Sequence, residues 1–128
     1  MKSLVAAALS LSLVLFAALA HSAEVPFDQG QFDAARAAGN PVAVVFHADW
    51  CPTCRAQAPL LKSLTQTAEF APLTLYVANF DTEKDLKKSL KVSQQSTIIV
   101  FKGGKEAARS TGDTHADSLA ALLRRALS

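Results

Sequence analysis

Val44-Val-Phe-His-Ala-Asp-Trp-Cys-Pro-Thr-Cys-Arg-Ala-Gln-Ala-Pro59 joins an apolar run to a pair of cysteines and then to a helical pattern. The apolar run is Val42 to His47. A run that short, rich in Val and bounded by Pro41 and a turn, reads as a strand buried on both faces. The following segment opens at Cys51-Pro52 and places Leu60, Leu61 and Leu64 on one face. Proline at a first helical position loses nothing, because that N–H has no partner inside a helix. This segment is predicted to be a helix, kinked at Pro59. Strand and helix together present both cysteines at a helix N-terminus.

Thiol–disulfide exchange needs a thiolate that attacks and a second thiol that resolves the mixed disulfide. Cys51 sits where free N–H groups and the helix dipole stabilise its anion. Cys54 lies one turn on, on the same face and deeper. Cys51 is thus the expected nucleophile and Cys54 the resolving thiol. Pro52 restricts the loop and favours the closed disulfide. Thr53 is uncharged and offers a hydroxyl to sulfur. A cation at that position would make the pair more oxidising, so its absence speaks against an extreme oxidant. The competing reading is half of a zinc or cluster site. Zinc normally takes four ligands, and beyond its two cysteines the chain offers His21, His47 and His115. Redox chemistry is favoured over a non-catalytic module that binds a metal or a partner protein through the Cys-x-x-Cys. No metal is expected, and no cofactor beyond the Cys51–Cys54 disulfide.

Outward from the site, the pattern gives one domain. Asp28, with Gln31 three residues on, predicts a capped helix that closes at Gly39-Asn40-Pro41. His21 to Phe27 before it is a lead without periodicity. Leu73 to Phe80 reads as a strand. Asp81 is expected to cap a helix running to about Leu90, with Leu86 and Leu90 inward. Its outer face carries Lys84, Lys87, Lys88 and Lys91, read as solvated rather than as a dock for an acidic partner. Thr97 to Phe101 is a third strand, Lys102-Gly103-Gly104-Lys105 a hairpin turn and Glu106 to Ser110 an edge strand. A last helix has Leu119, Leu122, Leu123 and Leu127 inward. The expected fold is α/β: a mixed central sheet of about four strands with helices on both faces.

The chain has 128 residues, enough for one compact domain. Lys2 precedes an apolar run of 16 residues, Leu4 to Leu19, and then Ala18-Leu19-Ala20. This reads as a secretory signal peptide over residues 1–20, with the cut as late as Ala23 in a second reading. The run is shorter than the roughly 20 residues that span a bilayer. The mature domain, 21–128, is therefore expected to be periplasmic, unattached to the membrane and a monomer. Without Lys2, 12 basic residues stand against 11 acidic ones. That balance gives no case for nucleic acid, and no nucleic-acid motif is present.

The segment Val44 to Pro59 resembles the active-site strand and helix of the thioredoxin family. Trp50 before the first cysteine and Pro59 five residues after the second match its pattern. So does Ser96-Thr97-Ile98-Ile99-Val100-Phe101-Lys102-Gly103-Gly104, with Gly112 beyond. The resemblance implies the family's fold and its disulfide reductase, oxidase or isomerase activities. It implies protein thiols and disulfides as substrates, a membrane or periplasmic redox partner for recycling, and a substrate loop at Gln94, Gln95, Ser96 and Thr97. The chain departs from the pattern at three places. Val45 stands where the family has a buried Asp, and Val77 where it has the accompanying Lys. That removes the usual proton acceptor for Cys54 and leaves water, Asp49 or the substrate. His47 stands where a Trp is usual, as a titrating neighbour of the site or as a strand-end residue packing like an aromatic. Ser96 replaces the cis-proline. A cis bond before a non-proline costs about 2.5–4 kcal/mol, so Gln95–Ser96 is either trans with a rebuilt loop or a strained cis bond. Trp50 is expected to lie over the site as a lid, and Asp49 is the nearest acid to the thiols. The absence of a cation between the thiols leans the reading towards a reductant.

Overall fold

A computed structural model describes residues 23–128. The leader expected over residues 1–20, and His21, lie outside them. The elements in chain order are β1 (Ala23–Pro26), α1 (Gln29–Ala37), β2 (Val42–His47), α2 (Pro52–Thr65), a 3-10 turn (Ala68–Phe70), β3 (Thr74–Asn79), α3 (Lys84–Leu90), β4 (Thr97–Lys102), β5 (Lys105–Thr111) and α4 (Ala116–Arg124). The strands form one mixed sheet in the order β1-β3-β2-β4-β5. β3 is parallel to both β1 and β2, whereas β4 is antiparallel to β2 and to β5.

β2 is central, and its side chains alternate between two cores. Ala43 and Val45 join Leu61, Leu75, Ile98, Val100, Leu119 and Leu123 on the face covered by α2 and α4. Val42, Val44 and Phe46 join Phe32, Tyr76, Leu86, Ile99 and Phe101 on the face covered by α1 and α3. A strand buried on both sides has no polar face to show, which is why the sequence reads as an unbroken apolar run. Val45 and Val77 are register partners on β2 and β3. Apolar side chains therefore stand side by side at the two positions where the resemblance predicts a buried carboxylate and ammonium.

Two local expectations change. The sheet has a fifth strand, β1, inside the stretch read as an unpatterned lead. It is only four residues long, lies at the edge and includes Pro26. An edge strand needs no alternation, and a proline is tolerated there. At the other change, Glu83 rather than Asp81 flanks the start of α3, and it makes no side-chain cap. The Asn79 side chain takes the amides of Asp81 and Thr82 at 2.8 and 3.3 Å. The turn out of β3 is thus held by Asn79, and the helix starts two residues later. Asp28 does cap α1, accepting from the Gln31 amide at 2.8 Å. α2 runs through Pro59 as a single helix.

The β4–β5 turn packs on α1. Gly104 has φ +81°, and a Cβ there would fall 2.8 Å from the Arg36 carbonyl oxygen. Gly103 has φ +58° but open space around it. Gly103→Ala is expected to destabilise the protein by about 1 kcal/mol, the left-handed penalty alone. Gly104→Ala should lower the urea midpoint clearly further, because backbone must move as well.

Candidate active site

The site lies where β2 ends and α2 begins. Past His47 the chain turns, with the Cys51 amide donating to the Ala48 carbonyl at 3.1 Å. Cys51 is the N-cap of α2, with extended backbone, and its Sγ accepts the Cys54 amide at 3.2 Å. A sulfur thus occupies the place where Ser, Thr or Asp usually caps a helix. Pro52 takes the first helical position, as its missing N–H allows. Both cysteines are free thiols and buried, Cys51 at 3% and Cys54 at 1% exposure. Ala48 and Phe80 pack around them.

Ser96 reaches the thiols from the other side. Its Oγ lies 2.8 Å from Cys54 Sγ and 3.5 Å from Cys51 Sγ. No peptide bond among the described residues is cis, so Gln95–Ser96 is trans, and the rebuilt loop places Ser96 at φ +60°. That left-handed conformation costs a non-glycine residue roughly 1–2 kcal/mol. Three anchors hold it. The Ser96 amide donates to the Phe46 carbonyl of β2 at 2.8 Å, and its own carbonyl accepts the Gly112 amide at 3.0 Å. Gln57 Nε2 of α2 donates to the same carbonyl at 3.4 Å and to the Asp113 carbonyl at 2.9 Å. Gln57 is 1% exposed and was not singled out by the sequence. Its signal was available: it continues the buried Cys54 face of α2, followed by Leu61 and Thr65.

The two thiols are driven apart. Burial opposes ionisation of Cys51, but hydrogen bonds from the Cys54 thiol, the Ser96 hydroxyl and the Cys54 and Thr53 amides outweigh it. The Cys51 thiol is brought down to about 7. Burial pushes the Cys54 thiol up, and so do its bond to the Cys51 sulfur and the negative charge there, against opposing contributions from the Ser96 hydroxyl and the Ala48 backbone. One sulfur is poised as a nucleophile near neutral pH and the other is held protonated behind it.

The remaining candidates divide. His47 Nε2 bonds Asp49 Oδ1 at 2.9 Å, so these two pair with each other at the rim. Asp49 is fully exposed and its carboxylate is engaged there; the side chain that touches Cys54 is Ser96 instead. Trp50 is 59% exposed and its indole N–H donates to Asp81 at 2.8 Å, which ties the cysteine turn to the turn after β3. Pro52 and Thr53 are exposed on the first turn of α2. Thr97 is buried and its hydroxyl bridges the Gln94 carbonyl and Thr111 Oγ1, at 2.8 and 2.9 Å. Gln94 and Gln95 form the turn that carries Ser96, with no hydrogen bond from either side chain to sulfur. Among the described residues, no three His, Cys, Asp or Glu side chains gather where they could hold a metal ion, and no helix is long and apolar enough to cross a membrane.

The thioredoxin family model matches residues 24–125. Thioredoxin-2 of Saccharomyces cerevisiae is 32% identical over 83 residues, which are 64% of this chain and 78% of that protein. Thioredoxin of Chlamydia muridarum is 37% identical over 82 residues, with the same two shares of 64% and 78%. Among solved structures, Trxlp from Edwardsiella tarda superposes with a TM-score of 0.77 at 38% identity, covering 79% of this chain and 98% of that one.

The thiol poise has a direct readout. Alkylation of the reduced protein by iodoacetamide should follow the Cys51 thiolate, half-maximal near pH 7 and level about one unit above. Below that midpoint the rate falls about tenfold per pH unit, as the thiol takes up its proton. A rate still climbing beyond about pH 8.5 would mark an ordinary thiol and contradict the geometry.

Proposed function

The chain belongs to the thioredoxin family of thiol–disulfide oxidoreductases, and from that premise we propose that Cys51 and Cys54 reduce disulfides of protein substrates in the periplasm. The observation that carries the assignment is the sulfur at the helix N-cap. Cys51 Sγ takes the Cys54 amide at 3.2 Å, and the Cys54 thiol stands one turn behind it. The Cys51 thiolate attacks one sulfur of a substrate disulfide, and the other leaves as a thiolate that takes up a proton. Cys54 then loses its proton and attacks Cys51 Sγ. The Cys51–substrate bond breaks, the second substrate sulfur leaves as a thiol, and the two electrons have passed from the protein to the substrate. A membrane or periplasmic redox partner returns the Cys51–Cys54 disulfide to dithiol. The protein acts as a monomer and carries no cofactor beyond this disulfide.

Two features support the reducing direction. The residues between the thiols, Pro52 and Thr53, are uncharged. A Cys51 thiol near 7 lies far above the strongly acidic thiols of extreme oxidants, whose reduced form is over-stabilised. Export is supported by Lys2, the apolar run Leu4 to Leu19 and Ala18-Leu19-Ala20. His47, Asp49 and Trp50 shape the rim that a substrate meets. Gln94, Gln95, Ser96 and Thr97 form the loop against which it lies.

The mechanism predicts different phenotypes for the two cysteines. Cys51→Ser should abolish reduction of a protein disulfide. Cys54→Ser should still attack but stall, accumulating a mixed disulfide that non-reducing electrophoresis detects. Equal inertness of both variants would sink the assignment of roles. Expressed with its leader in a Gram-negative cell, the chain should appear shortened in the periplasmic fraction. Full-length chain in the membrane or cytoplasm would contradict export.

A further inference from the structure

Resolution requires Cys54 to lose a proton, yet among the described residues no carboxylate hydrogen-bonds its sulfur. Asp49, Asp81 and Asp113 bond other partners: Asp49 with His47, Asp81 with Trp50, and Asp113 with Ser118 Oγ and the His115 amide, at 2.9, 2.8, 2.8 and 2.9 Å. Val45 and Val77 leave no charge in the sheet beneath. The polar side-chain atom against Cys54 from outside the cysteine pair is Ser96 Oγ, at 2.8 Å, and the same atom lies 3.5 Å from Cys51. A hydroxyl has one hydrogen to donate and two lone pairs. It is held at 2% exposure by bonds to β2, α2 and the Gly112 turn.

We propose that Ser96 is a positioning residue whose single O–H serves the two sulfurs in turn, first stabilising the Cys51 thiolate and then the Cys54 thiolate that resolves the mixed disulfide. This rests on the redox reading of the site and adds the element that reading lacks. In the free dithiol, the single Cys54 S–H is shared between the Cys51 thiolate and Ser96 Oγ, and Ser96 O–H donates to the Cys51 thiolate. Once Cys51 is bonded to substrate its sulfur carries no charge, and the O–H turns to Cys54. Serine takes no net proton. The proton lost by Cys54 ends, through water, on the departing substrate thiolate. The S–S bond to substrate breaks as the Cys51–Cys54 bond forms. Ser96 holds a left-handed backbone, φ +60°, with its hydroxyl within reach of both sulfurs.

The test uses Ser96→Ala and Ser96→Gly, each first checked for native circular dichroism. Alanine keeps the Cβ. Glycine suits φ +60° better than serine and is the safer variant to fold. Reduced protein is mixed rapidly with the aromatic disulfide of thionitrobenzoate. The first coloured thiolate released reports attack by Cys51, and the second reports resolution by Cys54. In both variants the second phase should slow about tenfold at neutral pH, and its pH midpoint should rise by about one unit, the loss of one hydrogen bond to a charged sulfur. The Cys51 alkylation midpoint should move up as well. If either variant keeps the wild-type second phase and midpoint, the hydroxyl is not the donor and the inference is overturned. Absence of a second phase in the wild type would instead overturn the redox reading, and this inference with it.

Discussion

The N-terminus of a helix leaves backbone N–H groups without partners, and here the cap is a sulfur. Cys51 Sγ takes the Cys54 amide, and with the Cys54 thiol and the Ser96 hydroxyl that bond sets the chemistry of the site. It favours the anion on Cys51 over the thiol. It also fixes Cys54 one turn behind. The bond exists only because β2 delivers Cys51 to the start of α2 with extended backbone, through a turn closed on Ala48. β2 can do so because both its faces are buried, each under a pair of helices, so that the strand end cannot drift.

The interior beneath the thiols is uncharged. Val45 beside Val77 replaces a buried ion pair with apolar packing, a change that removes both partners together and leaves no orphaned charge. The same exchange leaves Cys54, among the described residues, with Cys51 as the one charged group that acts on it. Proton control then falls to a neutral group, and the loop that carries it is correspondingly well anchored. Ser96 is tied through its amide, its carbonyl and its hydroxyl, and Gln57 spans from α2 to the loop and to Asp113. These bonds offset the left-handed backbone at Ser96.

Much of this was legible in the sequence because it rests on local pattern. The spacing of Cys51 and Cys54 and the position of Pro52 fix the helix start. Continuous apolar runs mark β2, β3 and β4, and Gly103-Gly104 marks the hairpin. What the sequence hid has physical causes. β1 is short, lies at the edge and borrows its order from β3, so it carries no periodic signal. The turn after β3 is decided by the Asn79 side chain, in competition with an equally plausible Asp81. Gln57 sits on the Cys54 face of α2, so its burial was legible, but its two carbonyl partners come from 39 and 56 residues away and were not. The resemblance placed the Ser96 loop at the site, but the 2.8 Å contact of its hydroxyl with Cys54, 42 residues away, depends on the rebuilt loop.

The account stands on a Cys51–Cys54 couple that cycles. The most direct measurement is its reduction potential, with purified mature protein equilibrated in glutathione buffers. The account predicts a reversible two-electron transition near about −270 mV, the range of a reductant. A pair that never cycles, or thiols held by a stoichiometric metal, would contradict it. A potential near about −120 mV would keep the chemistry and reverse the direction of electron flow.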